Sequence, residues 1–162
     1  MVSRFRSKIG VLASSETPFR CYPSDLDVLR HMNNGVYFSI MDLARIDFMI
    51  RADVKPVLDL NGWYPVVTAE MLKFRKSLKV FQKFSIHTHI LGWTDKAFVV
   101  EQKFTSHGET IAKGVIMARF LKRSGGGVNP AELMKAINFT QASPAFPPHI
   151  ETWLNSLSAL NE

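Results

Sequence analysis

Residues 34–51 read NGVYFSIMDLARIDFMIR, the longest helical pattern in the chain. Tyr37, Ile40, Met41, Ala44 and Phe48 recur at three- and four-residue steps and make one apolar face. Val36, Leu43 and Ile50 widen that face almost all the way round, so the expected helix is buried rather than resting on a surface. Asp42 with Arg45, and Asp47 with Arg51, stand at helical pair spacings and mark the remaining polar strip. Lys55-Pro56 and Asn61-Gly62 then break the pattern.

Upstream, residues 17–22 read as a short strand ended by Pro23-Ser24-Asp25. From Tyr64 the hydrophobic period changes to 2, and strands are expected over 64–75, 79–91, 97–105 and 110–122. Gly92-Trp93-Thr94-Asp95 and Ser106-His107-Gly108-Glu109 carry hairpin turn chemistry, so the four strands are expected to form an antiparallel meander. A sheet with one apolar face and a helix needing cover on most sides are both satisfied when the sheet curls around the helix.

Further on, Ser124-Gly125-Gly126-Gly127 reads as a flexible hinge, without the Lys-Ser/Thr ending of a phosphate-binding loop. Asn129-Pro130-Ala131-Glu132 is a capping box that starts a helix running to about residue 138. After a turn at 144–148, Ile150, Trp153, Leu154 and Leu157 stripe a last amphipathic helix. The expectation is a single α+β domain over 1–162, with a core at about 17–122 and a C-terminal helical extension at about 129–162.

Composition narrows the classes. With 162 residues, 46% hydrophobic and 21% charged, the chain matches ordinary globular averages and can bury roughly 70% of its unfolded surface. Disordered, collagen-like and disulfide-rich classes are excluded, the last because Cys21 is the sole cysteine. No apolar run approaches the ~18 residues of a spanning helix, so no stable membrane insertion is expected. The formal charge of +6 favours anionic partners. Lys73, Arg75, Lys76, Lys79 and Lys83 alternate with Phe74, Leu78, Phe81 and Phe84, a pattern that reads as strand faces rather than a nucleic-acid surface. Residues 1–15 carry Arg4, Arg6, Lys8 and several serines, as transit peptides do, and Val2, Phe5, Ile9 and Leu12 also suit a short amphipathic helix. They are read as part of the structure of a cytoplasmic protein.

The densest polar chemistry stands just before the buried helix: Asp25, Asp27, Arg30, His31, Asn33, Asn34 and Tyr37. The first N–H groups of a helix lack internal partners and carry the positive end of its dipole. Such an end can polarise a carbonyl, and an upstream carboxylate can attack it or activate a water. The same residues also serve plainer ends, Asn33 or Asn34 as a helix cap and the aspartates as turn residues.

Taken whole, Asp25-x-Asp27-x-x-x-His31-x-Asn33-Asn34-x-x-Tyr37 resembles the signature of the 4-hydroxybenzoyl-CoA thioesterase-like hotdog family. Asp42-x-x-Arg45 matches the acidic-x-x-Arg step in that family's helix, and Phe74-Arg75-Lys76-Ser77-Leu78 its aromatic-x-Arg/Lys-x-Leu step. The resemblance implies a hotdog fold, a five-stranded antiparallel sheet wrapped round one long helix. It also implies hydrolysis of an acyl-CoA thioester, fatty or aromatic, with an acyl carrier protein thioester or non-catalytic thioester binding as alternatives. By this resemblance Asp27 is the nucleophile or general base and the Asn34 N–H polarises the carbonyl. His31 is a secondary acid/base or a support of the turn. Tyr37, Asn33, Arg30 and Asp25 are candidate substrate-side residues. The family's usual homodimer or homotetramer is implied too. Arg30 departs from the pattern, standing where many members have glycine.

No cofactor is expected, coenzyme A being part of the substrate, and no metal. His87-x-His89 could offer two imidazoles on one strand face, but no third ligand follows at suitable spacing. No Gly-x-Ser-x-Gly elbow is present, and Cys21 reads as core. Lys76, Lys122 and Arg123 are candidate contacts for the phosphates of coenzyme A.

Overall fold

The central helix α1 spans Asn34–Arg51, as the periodicity predicts. Asn33 caps it with extended backbone, its Oδ1 accepting the Gly35 N–H at 2.8 Å. The computed structural model describes residues 6–161. Around α1 the described chain forms one antiparallel sheet: β1 Ser15–Arg20, β2 Trp63–Phe74, β3 Lys83–Trp93, β4 Phe98–Ser106 and β5 Glu109–Lys122, ordered β1-β3-β4-β5-β2. A two-residue strand, β6 (Gly127–Val128), pairs with β5.

That order corrects the four-strand meander. β3, β4 and β5 are hairpin neighbours, but β2 pairs with β5, from Trp63 opposite Lys122 to Phe74 opposite Ala112. The cause lies in residues 75–82, too long for a tight hairpin. Leu78 is fully buried there, and Phe81, at φ 61, donates its N–H to the Cys21 carbonyl at 2.7 Å. The segment therefore plugs the core and carries the chain to the far side of the sheet. A bulge between Val67 and Ala69 shifts the β2 ladder by one residue. On its two sides Val67 and Glu70 both face α1.

Other expectations change with it. Val54–Asn61 forms a second helix, α2, because Pro56 falls in its first turn, where a missing N–H costs little, and Gly62 closes it at φ 65. Ser124, Gly125 and Gly126 form a tight turn leading into β6 at Gly127, with Gly125 N–H bonded to the Lys122 carbonyl, rather than a hinge. Residues 6–14 form no helix; Ile9 N–H bonds the Arg51 carbonyl at 3.1 Å and Val11 is buried, while Val2 and Phe5 lie outside the described residues. Asp47 and Arg51 are not a solvent strip but 7% exposed. Asp47 accepts from Arg6 at 2.7 Å and from Thr17 at 2.8 Å, tying the N-terminal segment and β1 to α1.

Tyr37, Ile40, Met41 and Ala44 of α1 pack on Phe84, Ile86, Phe104, Ala112 and Ile116 of the sheet. The approach is close enough that a Cβ on Gly114 would stand 2.9 Å from Met41 Cε. A second cluster at the C-terminal half of α1 joins Phe48, Ala52 and Leu58 to Phe98, Phe120 and helix α3 (Pro130–Ala136), through Leu133 and Met134. The last helix, α4 (Pro148–Ser158), seats Ile150 on Val99 and Val115 of the outer sheet face. Against the expectation of an enclosed helix, Leu43 and Ile46 are 56% and 41% exposed.

Candidate functional site

The candidate site is built from the turn between β1 and α1. Asp25 orders its start: its Oδ2 accepts the Tyr22 N–H at 2.7 Å, and its carbonyl accepts the Asn33 N–H at 2.8 Å. Leu26 and Met32 bridge as neighbouring strand residues, and Asp27 closes the tight loop between them. One carboxylate oxygen of Asp27, Oδ1, accepts the N–H of Leu29 at 2.8 Å and of His31 at 3.1 Å. The Asp27 N–H donates to the His31 carbonyl at 2.8 Å. Among the described residues nothing donates to Oδ2. Arg30 sits at φ 60, the left-handed region where glycine is favoured. That explains how a chain with arginine here keeps the loop: the backbone takes the glycine geometry at some cost in strain.

Asn34 is the first residue of α1, so its N–H has no acceptor within the helix and carries the positive end of the dipole. The N–H lies beside a cleft of about 350 Å³ whose lining includes Asp27, His31, Asn34, Tyr37, Arg75 and Lys76. Four of the candidate residues thus meet at one place. Tyr37 forms the floor, 2% exposed, edge-on to Phe74 at 4.9 Å. Burial pushes its phenol above the ordinary range, an effect partly offset by a backbone hydrogen bond from Leu78.

The remaining candidates fall elsewhere. Asn33 is the cap of α1. Arg30 is exposed and does not line the cleft, and Asp25 faces a separate depression with Arg20, Tyr22 and Lys83. Lys76 does line the cleft and pairs with Glu109 at 2.6 Å. Lys122 and Arg123 do not reach it: Lys122 pairs with Glu132 at 3.0 Å opposite Trp63, about ten strand residues, or roughly 34 Å, from the Phe74 end. Arg75, which the sequence offers only within a basic run and a strand motif, lines the cleft without an ion-pair partner among the described residues. The Phe74-to-Leu78 motif was the available signal for it.

His87 turns its ring to Thr105 at 2.9 Å on the outer sheet face, and among the described residues no group of three or more His, Cys, Asp or Glu gathers as a metal site. Cys21 is fully buried. Burial first, and the charge of Asp25 second, push its thiol up, away from the reactive thiolate.

A curled antiparallel sheet around one helix, with an acidic turn at the helix start, defines a hotdog thioesterase fold, and the comparisons place it. The chain belongs to the thioesterase-like superfamily, whose family model matches residues 21–154. Among curated relatives, Protein THEM6 of Xenopus laevis is 31% identical over 133 residues, covering 82% of this chain and 63% of that protein. The chain therefore spans less than two thirds of that relative's length. Among solved structures, the YbaW probable thioesterase from Escherichia coli superposes with a TM-score of 0.70 at 19% identity, covering 75% of this chain and 95% of that one. A mutant 4-hydroxybenzoyl CoA thioesterase complexed with 4-hydroxybenzoyl CoA superposes with a TM-score of 0.67 at 16% identity, covering 76% and 98%. No helix among the described residues is long and apolar enough to cross a membrane.

Proposed function

We propose that the protein hydrolyses an acyl-CoA thioester at the Asp27 cleft. The observation that carries the reading is the split role of the Asp27 carboxylate: two backbone N–H groups fix Oδ1 while Oδ2 stays free, beside the unpaired N–H of Asn34. A thioester carbonyl whose oxygen accepts that N–H gains electrophilicity, and one such donor contributes roughly 10²–10³ in rate. Asp27 then acts in one of two ways. As nucleophile, Oδ2 bonds to the carbonyl carbon, the C–S bond breaks, the thiolate takes a proton, and water hydrolyses the resulting anhydride. As general base, Oδ2 takes a proton from the water that attacks the same carbon. His31, at the cleft wall, is the group placed to protonate the leaving thiolate. Arg75 and Lys76 supply positive charge for the phosphates of coenzyme A.

The active unit is proposed to contain a second copy of the chain. Ile46 and Val67 are exposed together, and among the described residues β2 has no strand partner on its outer edge; such an edge is usually covered.

Thiol release from short, medium, long and aromatic acyl-CoAs, wild type beside Asp27→Asn, tests the reading. Turnover that disappears in the variant supports it. Equal turnover in both proteins overturns the role of Asp27. Absence of turnover across the panel in wild type redirects the substrate to an acyl carrier protein thioester, and after that to thioester binding without hydrolysis.

A further inference from the structure

A second cavity, of about 340 Å³, lies at the other half of α1. Its walls are apolar: Phe48, Met49, Ile90, Phe98, Phe120 and Met134. Ile46 and Val67, each 41% exposed, open it toward the β2 edge, and its size falls within the range of ligand pockets, roughly 300–1,000 Å³. The chemistry at its mouth narrows what enters. Arg45 stands there, but its guanidinium is already held by Gln102 at 2.7 Å, by Glu70 at 3.3 Å and by Asp42. No unpaired cation is left for a carboxylate, and two acidic side chains oppose one. An uncharged hydrocarbon suits the chamber; the head group of a fatty acid does not.

Position narrows it further. Asp42, at the mouth, is eight residues along α1 from Asn34, and Met49 fifteen, or roughly 12 and 22 Å at 1.5 Å per residue. Along the two elements, Phe38 of α1 and Leu72 of β2, both partly buried, fall between the cleft and the mouth of the chamber. A straight chain advances roughly 1.3 Å per carbon, given C–C bonds near 1.5 Å. Reaching the mouth from the catalytic turn takes about nine carbons, and about seventeen reach Met49. Aromatic and short acyl groups stop before the chamber begins.

We propose that this chamber holds the distal half of a long, unbranched acyl chain whose thioester sits at Asp27 and Asn34. The proposal rests on the thioesterase reading for where the chain starts, so its test measures binding as well as turnover. The probes are non-hydrolysable S-alkyl thioethers of coenzyme A with 8 and 16 carbons, titrated calorimetrically into wild type, Ala118→Met and Ile137→Trp. Ala118 and Ile137 line the chamber far from the cleft, and the larger side chains fill it. Each methylene fully buried strengthens binding about fourfold, so with the equivalent of only about three to four of its eight extra methylenes fully buried the 16-carbon probe binds wild type on the order of a hundredfold more tightly than the 8-carbon one. That ratio is expected to fall to within tenfold in either filled variant that keeps the wild-type melting profile. Equal affinity of the two probes for wild type, or an undiminished ratio in the variants that fold, overturns the chamber. Chain-length-dependent binding without any thiol release from the matching acyl-CoAs supports the chamber and overturns the acyl-CoA hydrolase reading.

Discussion

Asp27 holds the turn and is proposed to do the chemistry, and two substitutions separate these roles. Asp27→Asn keeps an oxygen where Oδ1 now accepts the N–H groups of Leu29 and His31. Asp27→Ala removes both bonds. Exposed bonds of this kind contribute about 0.5–1.5 kcal/mol each, so alanine should cost about 1–3 kcal/mol. At roughly 2–4 °C per kcal/mol for a chain of this size, the melting temperature drops by about 2–12 °C. Asparagine loses only the charge-assisted part, about half of that. Turnover behaves differently: with no carboxylate to attack or to accept a proton, both variants should lose at least roughly 10²-fold in kcat/KM. Melting curves and thiol-release kinetics on the same preparations read the two effects separately. If Asp27→Asn hydrolyses within tenfold of wild type, the carboxylate is not the reacting group. If Asp27→Ala melts like wild type, the turn does not depend on it.

Three further outcomes follow from the structure. Glu70 has its carboxyl raised by burial, more than the nearby Arg45 lowers it. A raised acid favours the folded state below its unfolded value and loses that advantage as pH rises through the folded one. Glu70→Gln should therefore gain stability relative to wild type on going from pH 4 to pH 7, read by denaturant midpoints, and a gain in the opposite direction refutes the assignment. Arg30→Gly should raise the melting temperature by roughly 2–4 °C by relieving a left-handed residue at about 1 kcal/mol, whereas Arg30→Ala should not; a lower value for the glycine variant contradicts the strain. Gly114→Ala should cost about 1–3 kcal/mol, because the new methyl meets Met41 Cε at 2.9 Å and Leu72 Cδ1 at 3.1 Å, and an unchanged midpoint would show that α1 shifts freely.

What could be read in the sequence follows the range of the forces involved. The bounds of α1 are a local pattern and the structure has them as the periodicity predicts, while of the Asp25-to-Tyr37 motif it brings Asp27, His31, Asn34 and Tyr37 to one cleft and leaves Asp25, Arg30 and Asn33 outside it. The neighbour of β2 is a long-range choice, settled by Leu78 entering the core, and alternation within β2 carries no trace of it. Asp47 and Arg51 look like a solvent pair at helical spacing, but Arg6 and Thr17 arrive from distant positions and cover Asp47. Helix α2 was hidden by Pro56, whose effect depends on which turn it occupies. The apolar chamber was hidden for the same reason as β2: its walls come from the N-terminal segment, α1, α2, four strands and α3, and none of these segments announces a void.

The bulge at residue 68 gives this arrangement room to vary. Bulges are positions where a strand accommodates one residue more than its neighbour. Thr68 occupies the bulge, between Glu70 at the ion pair and Val67 in the chamber. Loss or gain of a residue there re-cuts the rim of the chamber while Asp27, His31 and Asn34, on another segment, keep their places. On the proposed reading, fit and chemistry lie on separate stretches of chain, so a change in acyl preference would not require the Asp27 turn to be rebuilt.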